Sequence, residues 1–388
     1  MNIAIDAHNI RSGGGLLYLK KILEKANPKK NGFKKVFIWS TIETLNKLPK
    51  KKWLIKKNNK YLVQDKKKFL DLKVLKRAFW HIFIFKKEVK KLNCKVFFFP
   101  GGYNFSNLKP SVCINLNLLP FQNKEIYKFG LSLIALRLFI LKFIQIISAN
   151  RSSGIIYLSN FMKKIISSKL KRKINNKIIY FGIDKIFFSK IRKQKSIYNY
   201  TKKTPFVIGY VSTLFPYKNH INVIKAVRML QEKHFLNIQL LIIGGGYKPY
   251  VCKVKGFLKS NSINDNKIKY CGYLNQKKLL NYLKNKINLK IFASSCEAFP
   301  NILLEASASG LPIVCSNNSP MPEILKTNAV YFSPHSINSI YNSLLKTIFN
   351  TNKRFLMSQK SQNFAKNFTW KKCSENTFLF LKKCSKII

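Results

Sequence analysis

Short apolar runs of strand character alternate with helical periodicity along nearly the whole chain, and that alternation confines the fold to layered parallel α/β structure. In the first half the runs are IAIDA, VFIWS, VFFFP, VCINL and GIIYLS, with helical stretches near 15–26, 69–92, 131–149 and 159–170. From Lys190 to Thr204 the chain turns polar and basic, which reads as a linker. A second series follows: FVIGYVS, a helix over 220–234, QLLIIGG, a helix over 248–259, IKYCGYL, a helix over 276–285, LKIFAS, a helix over 300–309, and PIVCSN. The expected architecture is α/β, with two Rossmann-like doubly wound domains at 1–189 and 205–368 on either side of a basic linker at 190–204, facing a central cleft. Ligands of such sheets sit beyond the carboxyl ends of the strands, so the loops after the strands are where chemistry is sought.

Composition narrows the class. The 388 residues, 46% hydrophobic, are enough for two cores, which excludes wholesale disorder. Lys and Arg total 72 against 14 acids, a formal charge of +58 that favours anionic partners. Only 8 of those cations are arginine, the residue suited to bidentate phosphate and base recognition. Abundant Lys, Asn, Ile and Phe fit an AT-rich coding bias, so no specific nucleic acid is expected, while an anionic membrane surface is. Leu131 to Ile147 is the most lipid-like stretch, but it carries Arg137, Lys142 and Gln145, and central charges cost roughly 2.5–3.5 kcal/mol each. It reads as a domain helix that dips at most into a membrane interface. MNIAIDA reads as a strand rather than a leader, so export is not expected. The eight cysteines form no C-x-x-C pair and sit mostly in apolar runs, as reduced thiols do. The histidines are scattered and no D-x-D motif occurs, so neither metal nor cofactor is expected.

Three constellations carry chemistry. The turn Arg11-Ser12-Gly13-Gly14-Gly15 lies between IAIDA and a helix with Leu16, Leu19, Ile22 and Leu23 on one face, and is either a phosphate-binding turn or a plain tight one. Gly244 to Gly246 after QLLII admits the same two readings. Thr213-Leu-Phe-Pro-Tyr-Lys218-Asn219 joins a strand to an amphipathic helix; Asn219 reads as its N-cap, which places Lys218 just outside a positive helix end, although most lysines here are solvated surface charges. The sharpest is Cys296-Glu297-Ala298-Phe299-Pro300-Asn301-Ile302-Leu303-Leu304-Glu305, running on to Gly310. Pro300 fits the first helical position and Gly310 the cap, so Asn301 and Glu305 share one face. A carboxylate in so apolar a helix requires donors, such as a ligand's hydroxyl pair, or else a capping or internal ion-pair role.

Glu297 and Glu305 with seven residues between them, followed by ASASGLPIVCSN and Pro322-Glu323, resemble the donor-site signature of retaining glycosyltransferase family 4, whose fold is GT-B. GYVSTLFPYKNH resembles the family's phosphate loop, LLIIGGG and IKYCGYL its second-domain strands, and RSGGGLLYL its first-domain glycine loop. INLNLLPF and GIIYLSNFMKKII are similar to segments of members that build bacterial surface polysaccharides, and FAKNFTWKKCSENTFLFL resembles the final helix, which implies that 369–388 crosses back to the first domain. The resemblance implies that Lys218 holds the diphosphate, Glu305 binds the ribose and Glu297 touches hydroxyls of the transferred sugar. It places the backbone of Phe299, Pro300 and Asn301 along that sugar, Gly13, Gly14 and Gly15 beside the phosphates, and Tyr273 and Leu274 near the base. Two positions depart from the pattern: Thr213 stands where many members have an arginine, and Asn115 or Asn117 where many have a histidine.

The expectation is therefore a metal-independent, hexosyltransferase-type enzyme, cytoplasmic and peripheral on the inner face of the cytoplasmic membrane. It would move a sugar from a nucleotide diphosphate sugar to a glycan or lipid-linked acceptor in cell-envelope polysaccharide synthesis such as lipopolysaccharide, with retention implied by the resemblance. The alternatives are a lysine-rich nucleic-acid or membrane binder, and a non-catalytic or epimerase-like relative of the same fold.

Overall fold

The computed structural model describes residues 1–59, 76–263 and 266–386, in two compact units. The first comprises Met1–Ile126, Gly130–Gly182 and Thr369–Ile388, and the second Tyr127–Phe129 and Ile183–Phe368.

The first unit is built on a seven-stranded sheet: β1 (Asn2–Asp6), β2 (Val36–Ser40), β3 (Leu54–Asn58), β4 (Cys94–Phe99), β5 (Ser111–Ile114), β6 (Gly154–Tyr157) and β7 (Asn175–Ile178). Its order is β3-β2-β1-β4-β5-β6-β7, and every pairing is parallel. The second unit carries β8 (Phe206–Val211), β9 (Ile238–Ile243), β10 (Ile268–Gly272), β11 (Leu289–Phe292), β12 (Ile313–Ser316) and β13 (Val330–Phe332) in the order β10-β9-β8-β11-β12-β13, again all parallel. Central strands such as VFIWS are buried on both faces, as parallel strands covered by helices must be. Strand order reverses between β1 and β4 and between β8 and β11, which makes the carboxyl ends of those pairs the topological switch points.

Helix α1 (Gly13–Lys25) buries Tyr18, Leu19, Ile22 and Leu23, and Leu16 is half-buried. The C-terminal helix Trp370–Cys384 packs on it in the same unit, where Ser374 Oγ donates to the Ile22 carbonyl at 2.7 Å. Of the helix expected over 69–92, residues 76–91 are helical, and 69–75 lie outside the described residues. Its Trp80 and Phe85 pack with Trp39 and Phe99 in the core. Helix α2 (Leu133–Arg151) is capped by Ser132, whose hydroxyl accepts from the Ala135 N–H. It buries Ala135, Leu138, Gln145, Ser148 and Ala149 and leaves Leu133, Leu136, Phe143 and Ile147 exposed. Among the described residues it is the one helix long and apolar enough to cross a membrane by length and composition alone.

The segment 190–204, expected as a linker, is instead part of the second unit. The reason is a buried guanidinium: Arg354 donates to the Lys195 carbonyl through Nη2 and to Gln194 Oε1 at 3.1 Å through Nε, while Arg192 donates to the Ile287 carbonyl. A run that reads as solvated from its charge is thereby tied down through its backbone.

Candidate functional site

In the second unit the loops after successive strands are stitched together at the carboxyl edge of the sheet. Leu214 N–H donates to the Gly245 carbonyl and Gly244 N–H to that of Gly272, so the turns carrying Thr213, Gly244 to Gly246 and Tyr273 lie side by side. The close approach requires glycine: a Cβ on Gly244, whose φ is +144°, would fall 1.9 Å from the Ser212 carbonyl oxygen, and one on Gly246 2.3 Å from that of Leu214. Thr213 and Tyr273 are exposed and Leu274 is half-buried. On the other flank, Ser295 N–H and Oγ both donate to the Tyr217 carbonyl, at 2.9 and 3.0 Å, joining the loops after β8 and β11.

Lys218 closes a short 3-10 turn, Pro216–Lys218, ahead of helix α3 (His220–His234). It is buried, not a solvated surface charge. Its backbone N–H donates to the Phe215 carbonyl and its carbonyl accepts from the Tyr210 hydroxyl. Nζ lies 4.9 Å from the Phe292 ring centre and 5.2 Å from that of Tyr217, and it forms an ion pair with Glu297 Oε1. Asn219 occupies the cap position of α3, but in the left-handed conformation, and its side chain caps nothing. Its Nδ2 donates instead to the carbonyls of Tyr217 and Ala293, at 3.1 and 2.9 Å, which fixes the Lys218 turn against the β11 loop.

Helix α4 (Asn301–Ala308) begins one residue later than the proline signal suggested: Pro300 is non-helical at φ −86°, ψ 81°, and serves as the cap. Gly310, at φ +69°, follows Ser309 past the far end, the left-handed position that glycine favours. Phe299 and Pro300 are buried, and Phe299 packs on Phe368. Asn301 and Glu305 share a face, and the Asn301 Oδ1 is buried without a partner. Glu305 is densely surrounded yet keeps part of its side chain accessible; burial, with Asp184 adding to it, pushes its carboxyl up to about 8 against the pull of Lys290.

Lys290, on the central strand β11, escaped sequence reasoning. It is fully buried and donates from Nζ to the Val211 carbonyl at 2.9 Å; burial holds its pKa well below the usual lysine range, partly offset by Glu305. The signal was available, since a lysine inside the apolar run LKIFAS is costly unless paired. His220 opens α3. Its ring stacks on Tyr210, its Nε2 lies 3.0 Å from Ser212 Oγ, and burial followed by the charges of Lys218 and Lys290 pushes its pKa down to about 3, so it is a neutral hydrogen-bonding group.

Gly13, Gly14 and Gly15 belong to the first unit, and they form the opening turn of α1 rather than a loop ahead of it. At the β1 end of that unit, Asp6 is fully buried and accepts from His8 Nδ1 at 2.8 Å, His81 Nε2 at 2.7 Å and Arg77 Nη2. Because the Phe105 N–H donates to His81 Nδ1, the proton of a neutral His81 sits on Nε2, directed at Asp6. Burial opposes an ionised Asp6, but Arg77, His81 and His8 outweigh it and hold the carboxyl well below its usual range. Among the described residues no group of three His, Cys, Asp or Glu side chains could hold a metal ion.

The two parallel sheets and their helices constitute the GT-B fold of glycosyltransferases. The sucrose-phosphate synthase of Thermosynechococcus elongatus superposes with a TM-score of 0.76 at 13% identity, covering 99% of this chain and 98% of that one. Anabaena HepE in complex with UDP and glucose superposes with a TM-score of 0.68 at 16% identity, covering 97% and 98%. A family model described as glycosyl transferases group 1 matches residues 191–364, within the second unit. The O-antigen chain mannosyltransferase B of Escherichia coli is 26% identical over 168 residues, 43% of each chain. An uncharacterized glycosyltransferase of Methanocaldococcus jannaschii is 22% identical over 58% of each. The chain thus spans about half the length of the curated relatives it matches.

Proposed function

We propose that the chain is a glycosyltransferase that moves a sugar from a nucleoside diphosphate sugar to a glycan or lipid-linked acceptor, with retention, in cell-envelope polysaccharide synthesis. The observation that carries this reading is the pairing of Lys218 with Glu297 where β8 and β11 diverge, inside the segment that matches the family model. In this reading Lys218 holds the departing diphosphate and the N-terminus of α3 adds its dipole. Glu297 accepts from hydroxyls of the sugar. The partnerless Asn301 Oδ1 and the carboxyl of Glu305 take ligand hydroxyls, Glu305 those of the ribose, and Tyr273 and Leu274 flank the base. No metal takes part: Lys218 supplies the charge that would otherwise come from a cation.

The acceptor class follows the O-antigen mannosyltransferase relative, and the UDP and glucose held by HepE support a nucleotide-sugar donor. The enzyme acts at the inner face of the cytoplasmic membrane, where the +58 charge and the exposed Leu133, Leu136, Phe143 and Ile147 of α2 suit an anionic lipid surface.

The test is a thermal-shift screen of the full chain against UDP, GDP, ADP and their sugars, followed by product analysis with radiolabelled donor. A ligand at a hundredfold its dissociation constant stabilises by about 2.7 kcal/mol. One nucleotide family is expected to raise the melting temperature and to yield labelled glycan; no shift with any of them would reject the reading. Binding that responds to salt alone would favour a polyanion binder.

A further inference from the structure

We propose that Glu297 and the diphosphate compete for Lys218, and that this exchange of partners lets the site hold a nucleoside diphosphate sugar in preference to the spent nucleoside diphosphate. The inference rests on the nucleotide-sugar reading given above and adds a mechanism of discrimination to it.

The ion pair is confined. Lys218 is anchored through both backbone groups, its Nζ is lodged beside the rings of Phe292 and Tyr217, and the side chains of the pair are only 7% and 14% exposed. A carboxylate so placed is incompletely hydrated, so giving up the ammonium is costly unless other donors replace it. Lys128 Nζ reaches Ser295 Oγ at 3.4 Å, and the buried Lys290 does not stand in for Lys218. Lys290 is committed to the Val211 carbonyl, and its burial disfavours the charged form. Asn219 and Ser295, which flank the turn, spend their donors on backbone carbonyls.

The Lys218 ammonium therefore serves two anionic claimants. A sugar on the diphosphate brings hydroxyls that satisfy Glu297 while Lys218 turns to the phosphates. Once the sugar has been transferred those hydroxyls are gone, and Glu297 reclaims Lys218 from the phosphates. Loss of the sugar thus weakens the hold on the diphosphate, and the carboxylate that positions the substrate also promotes release of the product.

Titration calorimetry of the full chain with UDP, GDP and ADP, and with their sugars, tests this in the wild type, Glu297→Gln, Lys218→Met and the double variant. Glu297→Gln is expected to bind the nucleoside diphosphate about tenfold more tightly and its sugar conjugate no more tightly than wild type. In the Lys218→Met background that gain disappears, because the ammonium being contested is absent. Glu297→Ala should move in the same direction as Glu297→Gln and guards against a folding defect peculiar to one variant. Unchanged or weaker diphosphate binding by both Glu297 variants would overturn the proposal, as would a gain that persists without Lys218, since that would be plain repulsion between anions. If wild type and variants bind no nucleotide at all, the nucleotide-sugar reading fails and the exchange with it; nucleotide binding without the gain defeats the exchange alone.

Discussion

Replacing Glu305 with glutamine removes one ionisable group from α4 while keeping its shape, and it should change how stability depends on pH. The carboxyl is pushed up to about 8 against an ordinary value of 4.5. Between those values the folded chain keeps the proton and the unfolded chain has lost it, so the folded state binds more protons and stability must fall as pH rises. At roughly 1.4 kcal/mol per pH unit the ceiling on that loss is about 5 kcal/mol. Partial accessibility and the neighbouring Lys290, which becomes easier to protonate as Glu305 ionises, reduce it to about 2 kcal/mol. For a unit of this size that corresponds to about 4–8 °C in melting temperature. The assay is thermal unfolding of wild type and Glu305→Gln from pH 5 to 8.5, read as the difference between them at each pH. That difference should widen by this amount in favour of glutamine as pH rises. A difference that stays flat, or that shrinks, would mean that Glu305 is an ordinary solvated carboxylate and would remove the argument for its proton.

Asp6→Asn leaves Arg77 without its partner in a buried setting and should destabilise by about 3–5 kcal/mol at pH 7. Because the folded carboxyl lies below its ordinary 3.8, the stabilisation is present above that pH and lost as pH falls through the lowered value, so melting curves of wild type and variant should converge in acid. Gly244→Ala drives a Cβ into the Ser212 carbonyl and should cost about 2 kcal/mol or more, seen as a lower melting temperature together with weaker nucleotide binding. Leu136→Ser combined with Phe143→Ser on α2 should reduce co-sedimentation with anionic vesicles while leaving the melting temperature nearly unchanged, since both side chains are exposed.

What the chain discloses without coordinates follows from how much each element depends on its neighbours. β1, β2, β8 and β9 are mainly apolar runs because both their faces are covered, and they stand out at once. The edge strand β3, LIKKN, and the edge strand β7, NNKI, are half-solvated and carry almost no apolar signal; β13 is only three residues long. They exist because a paired neighbour offers them a ladder, which composition does not record. The same asymmetry governs the site. Glu297, Glu305 and Lys218 are legible because acids are scarce and the turn chemistry around them is strong. The Lys218–Glu297 pairing is not, since 78 residues separate the two and only the parallel pairing of β8 with β11 brings their loops together. Lys290 and Asp6 are the instructive cases. Each is a charge within an apolar strand run, and a charge of that kind persists only where the fold supplies a partner. The sequence position raises the question, and the carboxyl edge of each sheet, where the Val211 carbonyl ends β8 in one unit and His8 follows β1 in the other, answers it.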